Sequence, residues 1–220
     1  NLEILNLDFF LNNLKLNSKK INIKNSNNEF NVTGKIKNQE IDLNKKNIIH
    51  LQNILSKKFV LKKLKFSSEN EFSFKIKDKF KVENIKISSD MRLKELSIEN
   101  FSFLKYFFPN INENISLLNN NIKINFQNKK YSIKGDGDIL IQTQNDNIKY
   151  SIDKTKDKIK FNSILKIKEN PFKIDFLNFE KKENSKMQVE LDGFEKFNKD
   201  IKINLFSLKE QKNEVLIKDL

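Results

Sequence analysis

Apolar and polar residues alternate along most of this chain, and the alternation is clearest in residues 131–143. In that run the odd-numbered positions are mostly apolar or glycine, whereas the even-numbered positions are mostly polar or charged. A period of two places successive side chains on opposite faces of a β-strand. The pattern therefore predicts a strand with one apolar face and one polar face.

Three more runs with the same alternation follow directly along the chain. They span residues 148–152, 159–167 and 172–176. The segments between them are too short for a crossover helix, so neighbouring strands should pair antiparallel. We expect a meander of four amphipathic strands that present their apolar side chains on a common face.

The residues that share this parity predict one continuous apolar groove. Gly135 and Gly137 fall on the same face, where the lack of a side chain would let a hydrocarbon tail lie close to the backbone. The predicted groove residues are Ile133, Ile139, Ile141, Ile148, Tyr150, Ile152, Phe161, Ile167, Phe172, Ile174 and Phe176.

The rest of the chain extends the pattern to roughly thirteen strands at hairpin spacing, which is typical of an all-β array. Polar, turn-forming residues at 67–70 and 88–90 are predicted to separate strands. Residues 47–58 and 103–108 depart from the alternation, because their apolar residues recur at helical spacing. The predicted fold is therefore all-β, an elongated and curled antiparallel meander with one or two short helices.

The composition and charge narrow the choice of partner. The net charge is +13, but the lysines are spread through every predicted strand as the polar half of the alternation, and arginine occurs only at Arg92. Lysine contacts phosphate as a point charge and lacks the bidentate geometry of arginine. The charge therefore predicts a solvated polar face and no nucleic-acid partner.

Candidate catalytic and metal-binding residues are scarce. His50 is the only histidine and the chain has no cysteine, which removes most acid–base and metal chemistry. Residues 135–138 read Gly-Asp-Gly-Asp, like a fragment of a calcium loop, but a calcium site needs roughly six or more converging oxygens. We predict no catalytic site, no metal site and no cofactor, and hence no enzyme.

The two ends of the sequence indicate part of a longer protein. Residues 1–11 contain no initiator methionine, no basic region and no apolar signal segment, and they already alternate like a strand. Residues 215–220 break off within another alternating run. We expect residues 1–220 to be a single fragment of a longer repetitive β-sheet protein, with residues 109–120 as a candidate subdivision.

Several alternating runs share the rhythm of a known protein family. In sequence order they are Tyr131-Ser-Ile-Lys-Gly-Asp-Gly-Asp-Ile-Leu-Ile141, Ile159-Lys-Phe-Asn-Ser-Ile-Leu-Lys-Ile167, Pro171-Phe-Lys-Ile-Asp-Phe-Leu-Asn-Phe179, Val189-Glu-Leu-Asp-Gly193 and Glu214-Val-Leu-Ile-Lys-Asp-Leu220. In these runs the chain resembles the C-terminal periplasmic part of the AsmA-like envelope proteins of Gram-negative bacteria, the group of AsmA, TamB and YhdP. The resemblance covers residues 107–220 best.

The resemblance implies a periplasmic β-sheet with an apolar groove that carries phospholipid between the inner and outer membranes, in outer-membrane biogenesis. It also implies an inner-membrane anchor in a missing N-terminal part, and phospholipid acyl chains as partners. An alternative remains open on the residues alone. A structural or adhesive β-array would use the same apolar face as a core closed against a second sheet, with no ligand.

Overall fold

The computed structural model describes residues 1–11, 14–26, 29–43, 60–99, 102–182, 185–196 and 201–219. The helix predicted at residues 47–58 lies outside these ranges. The strands are β1 (Leu2–Leu11), β2 (Leu14–Ser26), β3 (Glu29–Leu43), β4 (Leu61–Lys77), β5 (Lys81–Glu99), β6 (Asn114–Gln127), β7 (Lys130–Leu140), β8 (Asn145–Lys154), β9 (Lys158–Ile167), β10 (Lys173–Ile174), β11 (Phe179–Glu180), β12 (Met187–Lys196), β13 (Ile201–Glu210) and β14 (Asn213–Lys218).

Twelve of these strands form one open antiparallel sheet in meander order, so the predicted fold class is confirmed. Strands β1 to β9 pair in sequence order, and β12, β13 and β14 complete the sheet beside β9. The only helical elements in the described ranges are 3₁₀ turns at Asp78–Phe80, Ser102–Tyr106 and Asp175–Leu177. The second of these turns overlaps the helical segment predicted at residues 103–108.

Two predicted turns are wrong, because residues 67–70 lie inside β4 and residues 88–90 lie inside β5. Their polar side chains are accommodated within the sheet. Asn70 donates a hydrogen bond to the Ser68 hydroxyl at 2.8 Å, and Ser68 donates one to Asn38 on the neighbouring strand. A strand continues through serine and asparagine when these side chains find partners, so composition alone misplaced the turns.

The fourth strand predicted for residues 131–176 is also wrong as a member of the main sheet. Only Lys173–Ile174 is extended, and it pairs with Phe179–Glu180 in a separate two-stranded sheet. The next strand of the main sheet, β12, pairs with β9 directly. Residues 168–186 therefore form an inserted connection between β9 and β12.

Most apolar strand residues share one face of the sheet, which we call the apolar face. Register pairs such as Ile133 with Ile152, and Ile152 with Phe161, carry a single apolar row from strand to strand. Register shifts interrupt several pairs, for example between Leu118 and Asn121. Such bulges increase the local twist of the sheet.

The opposite, polar face carries a ladder of ion pairs across the first five strands. Lys37 lies 2.6 Å from Glu69, and Lys63 lies 2.7 Å from Glu95. Each pair is solvent-accessible and contributes at most about 1 kcal/mol. The lysines of these strands therefore lie on the polar face, beside carboxylates on the neighbouring strands.

The two ends of the sheet differ in their connections. At one end, which we call the capped end, residues 100–113 join β5 to β6 and residues 168–186 join β9 to β12. At the other end, which we call the turn end, tight turns join β4 to β5, β6 to β7 and β8 to β9. Chain long enough to fold back over the apolar face is thus available at the capped end.

Candidate functional site

The apolar face forms a partly enclosed cavity of about 470 Å³ at the capped end. We call this cavity the basin. A volume in this range suits a small ligand or part of a larger one. Its lining residues are Leu96, Ile98, Leu104, Phe107, Phe108, Ile115, Leu117, Ile139, Ile141, Ile148, Ser163, Leu165, Phe172, Val189, Leu191 and Phe206.

Strand register assembles the floor of the basin. Leu96 of β5 is paired with Leu117 of β6, and Leu117 is paired with Ile139 of β7. Further along the sheet, Leu165 of β9 stands between Ile148 and Val189. Phe206 of β13, paired with Leu191, completes the floor. Because paired residues point to the same face, period-two alternation on seven neighbouring strands produces one apolar floor.

Aromatic residues from the two long connections form a cap over this floor. Phe107 and Phe172 stack with their ring centroids 6.2 Å apart, and Phe108 meets Phe172 edge-on at 5.3 Å. The backbone N–H of Lys173 also donates to the carbonyl of Phe107 at 3.1 Å. The two connections therefore hold each other above the apolar face.

Buried polar side chains anchor the cap to the sheet. Gln142 accepts a hydrogen bond from the Asn110 N–H at 3.0 Å and donates one to the Pro171 carbonyl at 2.8 Å. Asn170 donates to Asp146 Oδ2 at 2.7 Å, and Asp146 accepts a second bond from the Lys168 N–H at 2.9 Å. These groups fix both connections at the turn between β7 and β8.

A second anchor lies at the other side of the insertion. Glu210 at the end of β13 accepts a hydrogen bond from the Lys182 N–H at 2.9 Å and another from the Ser185 hydroxyl. Glu210 and Ser185 are both buried. A buried carboxylate without such donors would be costly, so this contact ties the end of the insertion to β13.

Four of the predicted groove residues line the basin: Ile139, Ile141, Ile148 and Phe172. Ile167 and Ile174 belong to the same buried cluster but do not line the cavity. Phe176 lies on the Asp175–Leu177 turn and is 78% exposed, away from the other predicted residues. The structure thus brings six of the eleven residues together at the capped end.

The remaining four predicted residues lie on the apolar face nearer the turn end. Ile133, Ile152 and Phe161 form one row across β7, β8 and β9, and all are partly exposed. Tyr150 lies between this row and the basin, paired with Gly135 and Ser163. The predicted groove residues on β7, β8 and β9 are therefore continuous in strand register, although the cap covers them only at the capped end.

The expected space above Gly135 and Gly137 is filled, which corrects the prediction that a tail could lie there. A methyl group on Gly135 would collide with the Tyr150 ring, and one on Gly137 would come within 2.7 Å of the Asn120 Cα. The glycines thus accept side chains from neighbouring strands, an arrangement that pairs aromatic residues with glycine in sheets.

The Tyr150 phenol is the most perturbed titratable group beside the basin. Burial, and to a smaller extent the negative charge of Asp136, raise its pKa to about 12. Both effects disfavour a phenolate. Tyr150 is therefore a neutral hydroxyl at the border of the basin.

A belt of buried polar residues crosses the apolar face of the N-terminal strands, so the predicted surface is not uninterrupted there. Asn38, Ser68 and Ser89 belong to it, and Asn120 continues it into β6. The Asn120 Nδ2 group donates to the carbonyls of Leu118 and Asp138. Its buried Oδ1 accepts no hydrogen bond from the described residues. The same row of the sheet continues across β7, β8, β9 and β12. There it consists of glycine, tyrosine and apolar residues, with Ser163 as the one serine.

The sequence did not single out the cap or its anchors. Gln142, Asp146 and Asn170 look like ordinary loop residues, and their burial is decided by contacts distant in sequence. The strand residues Leu165, Val189 and Leu191 could have been found, because they share the parity of the predicted groove.

No group of three or more histidine, cysteine, aspartate or glutamate side chains is placed to hold a metal ion within the described ranges. Asp138 of the calcium-like run instead accepts a hydrogen bond from Asn147 at 2.6 Å. Among the described residues, no helix has the length and apolar character needed to span a membrane.

Comparison with protein-family models, curated proteins and solved structures finds no match to this chain. The functional argument therefore rests on the basin, the apolar face and the family resemblance of the alternating runs.

Proposed function

We propose that this chain binds lipid acyl chains on its apolar face, with the basin as the main site. The observation that carries the proposal is the lining, in which Ser163 is the only polar side chain among the described residues around the cavity. Hydrocarbon burial contributes about 0.8 kcal/mol per methylene group and needs no directional partner. The role is binding without catalysis, and no nucleic acid is involved.

The resemblance to AsmA-like proteins extends this proposal to a cellular role. The chain would be a hydrophobic β-groove segment of a periplasmic protein, anchored in the inner membrane through a part outside this sequence. It would carry phospholipid between the inner and outer membranes in outer-membrane biogenesis. The open meander, with one apolar face and one charged face, supports such a role because it offers a long surface for tails.

A structural or adhesive array is the second candidate. The observation that favours it is the set of side chains buried beneath the cap, including Ile167, Ile174 and Leu208. They form a packed core that needs no ligand. The basin distinguishes the two proposals, because an array would leave it empty.

The test is native mass spectrometry of the purified protein, with two matched variants. Ser163→Leu adds volume inside the basin, and Ser151→Leu makes the same change on the polar face. Acyl-chain binding predicts that phospholipid co-purifies with the wild type and with Ser151→Leu, and that Ser163→Leu retains much less. Folded protein without lipid in all three would favour the structural array.

Photo-crosslinking adds a second readout on β8. A photoreactive residue at position 150 faces the apolar side, and one at position 149 faces the polar side. Lipid adducts should form mainly at position 150. Equal labelling at both positions would contradict the proposal. Ile141→Asp is a poor probe, since Ile141 is buried in the core beneath the cap and a charge there would unfold it.

A further inference from the structure

The hairpin formed by β4 and β5 projects beyond β6 at the turn end of the sheet, while β3 accompanies it on the other side as far as the pair of Phe30 with Ile76. The last pair between β5 and β6 is Lys86 with Gln127, whereas β4 and β5 stay paired as far as Lys77 and Lys81. Five residues of β5 therefore extend past β6, a distance of about 17 Å at the rise of a strand. We call residues 74–84 the projecting tip.

The projecting tip holds large apolar side chains in solvent. Phe80 is 89% exposed at the end of the hairpin, and its φ of 57° is a left-handed conformation that bulky residues rarely adopt. Val82 and Phe30 are also exposed, and both pair with Ile76 on the apolar face. An apolar row thus leads from the end of the hairpin onto the apolar face.

Lysines surround this apolar row. Lys79 and Lys81 flank Phe80 directly, and Lys77 closes the hairpin opposite Lys81. Glu83 pairs with Lys77 at 2.9 Å and with Lys81 at 2.8 Å on the polar face, whereas Lys79 and Asp78 are exposed in the turn. The tip therefore presents an exposed phenylalanine flanked by lysines, with four lysines against the two carboxylates of Asp78 and Glu83.

We propose that the projecting tip docks the protein on an anionic lipid bilayer, with Phe80 inserted among the headgroups. Exposed aromatic side chains enter the membrane interface while flanking lysines contact anionic lipid. Lysine without arginine suits a diffuse layer of headgroups better than bidentate recognition of nucleic-acid phosphates. The complementary partner is a negatively charged membrane surface.

Docking at this end would set the direction in which a lipid reaches the basin. The cap covers the opposite end, and the polar belt crosses the apolar face of the N-terminal strands. Among the described residues, the apolar route from the tip therefore passes through Ile87, Phe126 and Tyr131 to β7–β9 and then to the basin. This consequence rests on the proposed function, whereas docking itself does not require an acyl chain in the basin.

The test is co-sedimentation with vesicles of phosphatidylcholine alone and of phosphatidylcholine mixed with phosphatidylglycerol. Binding should require phosphatidylglycerol and fall in high salt. Phe80→Ser should lower the partition coefficient about tenfold, because it removes the aromatic ring that would be buried in the bilayer interface. Lys79→Gln should lower it about fivefold.

Matched controls lie at the capped end. Phe176→Ser removes another highly exposed phenylalanine, and Lys212→Gln neutralises an exposed lysine in the β13–β14 turn. Neither should change vesicle binding. Equal binding of Phe80→Ser and wild type, or an equal loss in Phe176→Ser, would overturn the proposal. Tighter binding of the tip to duplex DNA than to vesicles would do the same.

Ser163→Leu separates this proposal from the proposed function. It should lose lipid from the basin and keep vesicle binding. If wild type binds vesicles but never retains lipid, the basin proposal fails and docking stands. If wild type retains lipid and no tip variant affects sedimentation, docking fails and the basin proposal stands.

Discussion

The same apolar face is buried at one end of the sheet and exposed at the other. Ile139 and Ile167 at the capped end are shielded by the two long connections, whereas Val82 and Ile87 toward the turn end remain exposed. All four are apolar strand residues on the same face. Their different burial therefore does not come from the strands.

The connections between strands account for the difference. At the capped end, residues 168–186 have enough length to fold back, pair within themselves and place Phe172 against Phe107. At the turn end, Asp78–Phe80 is a tight turn that cannot reach the face. A sheet of this kind gains a basin only where a long connection supplies the cap.

Breaking the cap should give the largest effect on stability. Asn170→Leu removes the donor to Asp146, a carboxylate with 0% exposure, and also the bond to the Gln144 carbonyl. Loss of a hydrogen bond to a buried charge predicts a decrease of about 3 kcal/mol in the free energy of unfolding. Urea denaturation followed by circular dichroism measures it.

The control for this variant is Asn125→Leu, which places the same substitution at an exposed position in β6. Its effect should stay within about 0.5 kcal/mol. Equal destabilisation by both substitutions would show that Asn170 has no special role in the cap.

Alkaline pH should affect the border of the basin through Tyr150. Its pKa is about 12 in the folded protein and near 10 in the unfolded chain. The stability that depends on the neutral phenol is fully present below pH 10 and is lost as pH rises toward 12, because the unfolded chain ionises first. At pH 11 the loss should be less than about 1.4 kcal/mol, because solvent screens a phenol that is only partly buried.

Tyr150→Phe isolates the contribution of the Tyr150 ionisation to stability, because the lysines titrate in the variant as they do in the wild type. The difference in unfolding free energy between variant and wild type should be constant up to pH 10 and should then shift in favour of the variant. Parallel pH curves across pH 9–12 would show that Tyr150 ionises equally in both states.

The smallest effect should come from the ion pairs of the projecting tip. Hydrogen bonds from Lys81 and Lys77 lower the pKa of Glu83 to about 2. The associated stability is present above pH 4.5 and is lost as pH falls toward 2. Glu83→Gln should lower the melting temperature slightly at pH 7 and remove part of the acid sensitivity between those values.

The control for Glu83→Gln is a measurement at high salt, because screening weakens solvent-accessible ion pairs. In 1 M sodium chloride the wild type and Glu83→Gln should have closer melting temperatures than in dilute buffer. A difference that is independent of salt would point to packing instead of charge.

The alternation predicted the sheet, its antiparallel order and the face of Ile133, Ile139, Ile148 and Phe161. It failed at residues 67–70 and 88–90, where composition suggested turns. The reason is that Ser68 and Asn70 satisfy their polar groups within the sheet. It also failed at residues 172–176, because β12 takes the place beside β9 and Lys173–Ile174 pairs only within the insertion.

Local periodicity therefore fixed which side chains share a face, because strand geometry makes neighbours alternate regardless of what lies around them. Tertiary structure alone decided which part of that face is covered. Burial of Asp146, Asn170 and Glu210 depends on partners 24 to 28 residues away in the chain, and no local pattern encodes such contacts. The basin exists because two connections meet above the sheet, and that meeting is a property of the folded chain.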